Sequence, residues 1–138
     1  MSFWERVCVA FTMADQALWE LSLRFFRVQR LCALVRIIAR VQRAFSWRKH
    51  AAGEIVERHR VAIQLHPLTI ECVAESLSLW RGLRSAGHPA QLMLGCRTVL
   101  GHLEAHAWVE LGGQIVSDPE GDHSSWQSFD APLLRGDQ

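Results

Sequence analysis

A fifteen-residue stretch, EAHAWVELGGQIVSD at residues 104 to 118, limits the fold more than any other part of the sequence. Apolar and polar residues alternate from 105 to 111, which is the pattern of a half-buried strand. Gly112 and Gly113 then supply the positive φ angles that a tight hairpin turn needs. Because the alternation resumes after the glycines, the stretch predicts a β-hairpin with His106 on its first strand and Asp118 at the end of its second.

The rest of the chain predicts helices before this hairpin. Helical periodicity covers residues 3 to 28, 31 to 47 and 52 to 63, and His66-Pro67 then interrupts the chain. Thr69 is a suitable cap for a fourth helix, which ends near Gly87. That helix is predicted over residues 70 to 85 and is followed by a strand over residues 90 to 97.

This order of elements predicts an α+β fold. With 138 residues the chain is expected to form a single domain, in which N-terminal helices pack on a core of one helix and a small antiparallel sheet. Its regions are a basic amphipathic helical region at 1–65, a core with the candidate catalytic residues at 66–120 and an irregular tail at 121–138.

Charge divides the chain into two opposite halves. Residues 1 to 60 contain 11 Lys and Arg against 5 Asp and Glu, and residues 61 to 138 contain 4 against 9, so the halves carry net charges of +6 and −5. Such basic helices either pack on the acidic half with their guanidinium groups in water, or bind an acidic peptide, protein, membrane surface or nucleic acid. The candidate contact residues are Arg24, Arg27, Arg30, Arg36, Arg40 and Arg43.

The composition excludes several classes of protein. Hydrophobic residues make up 49% of the chain and charged residues 21%, which argues against disorder. Arginines interrupt each apolar run before it reaches about 18 residues, and the N-terminus lacks the layout of a signal peptide. A cytoplasmic protein is therefore expected.

No metal or organic cofactor is expected. The four cysteines are scattered without a C-x-x-C pair, which indicates reduced thiols rather than a zinc ribbon. His102 and His106 have the spacing of zinc ligands on a helix, but the alternation predicts a strand, on which four residues span about 13 Å.

Cys72 is the cysteine whose position favours chemistry. It falls in the first turn of the predicted fourth helix, where the positive end of the helix dipole favours a thiolate. Cys8, Cys32 and Cys96 lie in apolar helical stretches or a strand and are interpreted as packing residues. A cysteine at a helix start, followed by a histidine strand paired with an acidic one, is the arrangement of papain-like and transglutaminase-like cysteine enzymes.

Residues 71 to 118 resemble the leader peptidases of lasso-peptide biosynthesis, a family of transglutaminase-like cysteine proteases. The resemblance rests on Cys72 with its Ser-Leu-containing helix, the Gly-His-Pro-Ala step at 87 to 90, and the His-Ala-Trp-Val-Glu strand with its glycine turn and following acid. It implies a transglutaminase/papain-like core. It also implies that Cys72 is the nucleophile, His106 the general base and acid, and Asp118 the group that orients the imidazole.

The activity implied by the resemblance is removal of the leader peptide from a ribosomally synthesised lasso-peptide precursor. The expected partners are that leader and a separate leader-recognition protein, because residues 1 to 60 contain no alternating strand pattern; the asparagine-synthetase-like lasso cyclase is a further candidate, and nucleic acid is not expected. Trp108 shares the strand parity of His106 and either packs or shields the His-Asp pair from water. Two alternatives stay open: an acyl- or amide-transferring enzyme on the same Cys-His-Asp framework, and a non-catalytic adaptor whose basic helices bind a membrane or nucleic acid.

Overall fold

The computed structural model describes residues 1–45, 50–117, 124–129 and 132–135. Four helices come first and an antiparallel sheet follows, which confirms the predicted α+β architecture. Within those ranges no helix is both long enough and apolar enough to cross a membrane. The elements are α1 (Phe3–Phe25), α2 (Val28–Phe45), α3 (Ala52–Leu65), α4 (Cys72–Ser85), β1 (Gln91–Val99), β2 (His102–Leu111), β3 (Gln114–Ile115) and β4 (Gln127–Ser128).

The break between α1 and α2 comes three residues earlier than the periodicity predicts. α1 begins at a capping box, in which Ser2 and Glu5 each bind the other's backbone N–H. It ends at Phe25, because Phe26 is extended while its N–H still binds the Ser22 carbonyl oxygen. No glycine or proline marks this end. The chain turns here because α1 packs on α3 and α4, whereas α2 packs mainly on α4, a tertiary preference that local periodicity does not encode.

The hydrophobic core forms around α4, which contacts the other three helices and both long strands. Leu77 and Trp80 of α4 are fully buried, and they share one cluster with Leu92 and Val109 of the sheet. Burial of side chains this large contributes ~1.5–3 kcal/mol each. The Trp80 indole N–H also donates to the Ala90 carbonyl oxygen at 2.9 Å, so the position of α4 relative to the start of β1 is well defined.

The strands form one antiparallel sheet in the order β3-β2-β1-β4. The predicted hairpin turn is confirmed, since Gly112 and Gly113 have φ angles of +60° and +78°. In the pairing of β1 with β2, Gly95 lies opposite His106. β3 pairs with β2 only at its last two residues, so His106 lies on a part of β2 that extends past the end of β3.

Part of the C-terminal segment pairs with the sheet. β4 pairs with Gly95 and Cys96 of β1. Further on, Leu134 is fully buried and forms an isolated bridge with Leu92. This segment therefore covers the edge of β1 and brings residues 124–129 to the surface on which His106 lies.

Candidate active site

Cys72 is the first residue of α4 and is half-buried. The sequence predicts a helix start two residues earlier with Thr69 as its cap, and this detail is wrong: the N-cap is Glu71, whose side chain makes no capping hydrogen bond. The cap comes from α1 instead, because the Glu20 carboxylate accepts a hydrogen bond from the Glu71 N–H at 3.0 Å. The Cys72 N–H, in the first turn, has no acceptor within the helix.

His106 lies on β2 with its ring between two tryptophans. The ring centroids of His106 and Trp126 are 4.9 Å apart at 32°, and those of His106 and Trp108 are 6.1 Å apart at 27°. The Trp108 indole N–H donates to the Glu110 carboxylate at 2.9 Å, which confirms that residues 106, 108 and 110 share one face of the strand. The imidazole is thus oriented by flat ring surfaces on that face.

Gly95 makes room for these rings. It lies directly opposite His106 on β1, and a Cβ atom at this position would be 2.6 Å from the Trp108 ring and 2.7 Å from the Gln127 carbonyl oxygen. No larger side chain fits without movement of Trp108 or β4. The rings beside His106 therefore depend on a residue that has no side chain.

Trp126 also contacts Arg97. The Arg97 guanidinium carbon lies 4.3 Å from the Trp126 ring centroid, a cation–π contact. Arg97 Nε also donates to the Glu104 carboxylate at 2.8 Å, and its Nη1 donates to the Ser125 hydroxyl at 3.3 Å. These contacts connect β1, β2 and the segment before β4 through a single side chain. The sequence analysis missed both Arg97 and Trp126, because no local pattern brings residues 97 and 126 together.

Asp118 lies outside the described residues. The chain immediately before it is described and is bound to β2: the buried Ser117 hydroxyl accepts from the Val109 N–H at 2.8 Å. The Val116 N–H also donates to the Val109 carbonyl oxygen at 2.9 Å. The chain therefore leads into Asp118 from the edge of β2, three residues along that strand from His106.

α4 meets β2 next to His106. The Ser76 hydroxyl, about one helical turn beyond Cys72, donates to the carbonyl oxygen of Ala107 at 3.1 Å. Ala107 is the residue after His106. The element that begins with the candidate nucleophile is thus bonded to the residue adjacent to the candidate base.

A cleft of about 470 Å³ lies between α3, α4 and β2. His106 lines it together with Glu75 and Leu79 of α4. Cys72 does not line the cleft, but it lies one turn before Glu75, on the same face of α4. A peptide segment in the cleft would reach the imidazole.

The family model described as Transglutaminase-like superfamily matches residues 16–131, which is most of the chain. The chain belongs to the transglutaminase-like superfamily. This is commonly a fold of cysteine proteases and acyltransferases. No curated protein and no solved structure matches the chain.

The other cysteines of this transglutaminase-like protein differ in their surroundings. Cys32 lies in the core, and burial raises the pKa of its thiol to about 11, which keeps it protonated. Cys8 and Cys96 are half-buried, and all four cysteines are free. Among the residues that the structure describes, no three His, Cys, Asp or Glu side chains are grouped as metal ligands.

None of the six candidate contact arginines lines the cleft of this transglutaminase-like protein. Five are exposed, and only Arg36 is half-buried. Its Nε is buried and has no hydrogen-bond partner in the described part of the chain. The exposed ones are Arg24, Arg27, Arg30, Arg40 and Arg43.

A buried polar cluster joins the helices of the transglutaminase-like domain. Nδ1 of His59 lies 3.1 Å from the Ile55 carbonyl oxygen, and its Nε2 lies 3.0 Å from the Ser78 hydroxyl. That hydroxyl donates to Asp15 at 2.5 Å, and Arg81 forms an ion pair with the same carboxylate at 2.9 Å. Burial lowers the pKa of His59 to about 4, so the imidazole is neutral near pH 7.

Proposed function

We propose that this protein is a cysteine peptidase that removes the leader peptide from a ribosomally synthesised lasso-peptide precursor. The observation that carries the proposal is that α4 and the segment after β3 both meet β2 at residues 106–109. His106 lies there, α4 is bonded to Ala107, and Ser117 is bonded to Val109. The helix that starts with Cys72 and the chain that leads into Asp118 therefore meet β2 within a few residues of the imidazole.

In this proposal Cys72 is the nucleophile and His106 the general base and acid. The Cys72 thiolate attacks the carbonyl carbon of the scissile peptide bond, the C–N bond breaks, and His106 gives a proton to the leaving amine. A water molecule then gives a proton to His106 and attacks the thioester, whose C–S bond breaks, which releases the carboxylic acid and regenerates the thiolate beside the protonated imidazole. Asp118 orients the imidazole during both steps.

The backbone of α4 supplies one group that stabilises the oxyanion of this reaction. Glu20 occupies the Glu71 N–H, and the N–H groups of the first turn, from Cys72 to Ala74, have no acceptor inside the helix; that of Cys72 belongs to the nucleophile itself. A donor on the nucleophile's own backbone is close to the attacked carbonyl carbon by construction. Loss of one such donor from an enzyme typically lowers kcat by about 10²–10³-fold.

The substrate class follows from the resemblance of residues 71 to 118 to lasso-peptide leader peptidases. The cleft has room for a peptide segment, and its apolar lining includes Val56, Ile63 and Leu79. We propose that a separate leader-recognition protein binds the leader and presents the scissile bond, since a tethering partner raises the local concentration of that bond. The asparagine-synthetase-like lasso cyclase is the proposed acceptor of the released core peptide.

Cleavage of the full-length precursor in the presence of its recognition protein tests the assignment of the nucleophile. Cys72→Ala is expected to abolish cleavage, because alanine has no nucleophilic atom. The matched control is Cys96→Ala, which removes another half-buried thiol and is expected to retain near-normal turnover. Mass spectrometry of the products separates a peptidase, which releases a free carboxylate, from an acyltransferase, which forms an amide with an added amine. Turnover by Cys72→Ala would remove that residue from the mechanism.

A further inference from the structure

The outer face of α1 is apolar along its whole length. Trp4, Phe11, Leu18 and Phe25 follow one another at intervals of seven residues, and residues 7, 14 and 21 between them are apolar as well. Their exposures of 74%, 73%, 58% and 75% show that no other part of the described structure covers them. A surface helix of a globular protein normally presents polar residues on this side.

The opposite face of α1 is already occupied. Thr12, Gln16 and Glu20 are buried, and α1 packs on α3 and α4. The apolar outer face is therefore not the face by which α1 packs on the rest of the protein. It is a second apolar surface on a helix whose first surface is already packed.

The size of the exposed face matches a protein interface. Fully exposed aromatic side chains offer about 150–250 Å² each, so this face offers on the order of 600 Å². A standard interface buries about 800 Å² on each partner, and exposed apolar patches of this size mark sites of interaction.

The spacing of the apolar residues indicates that a helix is the partner segment that fits this face. Apolar residues at alternating intervals of three and four over three heptads form the seam by which one helix packs against another, with side chains as knobs in holes. A helix with the same repeat can follow this seam from Trp4 to Phe25.

The charges around the seam indicate which sign of charge a partner should carry beside its apolar residues. Two of the three acidic residues of α1 point to internal partners: Asp15 pairs with Arg81, and Glu20 binds the N-cap of α4. The third, Glu5, belongs to the capping box. Arg24 remains exposed beside the seam near the end of α1, and the exposed Arg27 follows just after the helix.

We propose that the outer face of α1 is a docking site for an amphipathic helix of a partner protein, with apolar residues at heptad positions and acidic residues beside them. A second copy of this chain fits less well, because it would bring the same arginines to the rim of the seam. This docking does not depend on the chemistry at Cys72. Its test therefore measures binding and not cleavage.

The probe is a fluorescently labelled synthetic helix of about 28 residues with Leu at heptad positions a and d and Glu at e and g. The full chain is expected to bind it, and Phe11→Ser with Leu18→Ser is expected to weaken binding at least tenfold. Leu103→Ser, which removes a similarly exposed leucine from β2, is the matched control and is expected to bind like the wild type. A second peptide with Lys in place of Glu is expected to bind at least tenfold more weakly. Circular dichroism checks that each variant is folded.

Three results would overturn the proposal. The first is equal affinity of the folded double variant and the wild type for the acidic peptide. The second is a dimer in light scattering that the double variant loses, which would assign the seam to a second copy. The third is the absence of peptide binding together with binding to phosphatidylglycerol-containing vesicles that the double variant loses, which would assign it to a membrane surface.

Discussion

At the scale of single residues, the surroundings of His106 depend on a small residue on the neighbouring strand. Gly95 leaves the space that the Trp108 ring fills, and β4 passes its backbone through the same space at Gln127. Trp126, next to Gln127, contacts the His106 ring in a tilted arrangement. A side chain at position 95 would therefore displace Trp108 or the segment that carries Trp126, and both rings contact the imidazole.

Gly95→Ala is expected to lower the free energy of unfolding by about 1–3 kcal/mol, because the added methyl group forces Trp108 or β4 to move. We expect it to lower leader cleavage as well. Gly53→Ala is the control: nothing lies within 4 Å of a Cβ there, and alanine in a helix is favoured over glycine by up to about 1 kcal/mol. Urea denaturation followed by tryptophan fluorescence measures both. Equal stability of the two variants would contradict the packing described around Gly95.

The sequence could identify some site residues and not others. Cys72 and His106 stand out because a helix start and an alternating strand are local patterns, and both lie in the predicted elements. Trp126 did not stand out, because its contact with His106 crosses twenty residues and depends on β4 joining β1. The prediction of Thr69 as the cap is wrong for a similar reason, since the carboxylate that binds the start of α4, that of Glu20, comes from a distant helix.

At the scale of elements, α1, α3 and α4 meet at one buried polar cluster. Ser78 of α4 lies within hydrogen-bonding distance of both His59 of α3 and Asp15 of α1 inside the helical layer. The helices themselves are predictable from periodicity. The polar contact between them cannot be predicted in this way, because the three residues lie far apart in the sequence and no local pattern links them.

The stability of the protein is expected to fall as the pH drops from 6.5 to 4. Burial lowers the pKa of His59 to about 4, below the 6.5 of an exposed histidine, so the unfolded chain takes up the proton first. The stabilisation is complete above pH 6.5 and is lost as the pH falls through 4, and the difference amounts to about 3 kcal/mol. Urea denaturation at several pH values measures it.

His59→Gln is expected to remove most of this pH dependence, since glutamine does not titrate. His102→Gln is the control, because His102 is exposed at the start of β2. If the wild type and His59→Gln lose stability in parallel between pH 6.5 and 4, the buried imidazole is not the group that titrates.

At the scale of the whole molecule, the basic and acidic halves of the sequence form different parts of the structure. The basic half forms α1 to α3, with most of the candidate arginines exposed, and the acidic half contributes α4 and the sheet. The sign of each half is predictable from composition alone. Which arginines reach solvent is not, because Arg36 turns partly inward while Arg40, one turn later, does not.

Leader cleavage is expected to need the recognition protein and to weaken as salt is raised. The physical reason is that exposed arginines attract an acidic partner, and salt screens this attraction beyond about 8–10 Å. Rates are compared with and without the recognition protein at low and high ionic strength. Arg24→Gln with Arg27→Gln is expected to reduce the salt dependence. Efficient, selective cleavage by this chain alone would refute the partner requirement, and a partner-dependent rate that salt does not change would exclude the arginines.

The hydrogen bond between Glu20 and the Glu71 N–H also has a consequence for the order of folding. It joins residues 51 positions apart, so the chain must close a loop of that length before the Glu71 N–H gains this partner. Contacts between residues so distant in sequence form slowly compared with a local helix cap. The end of α4 that carries Cys72 is therefore expected to mature only when α1 has docked, and a newly made chain acquires its nucleophilic end together with its tertiary structure.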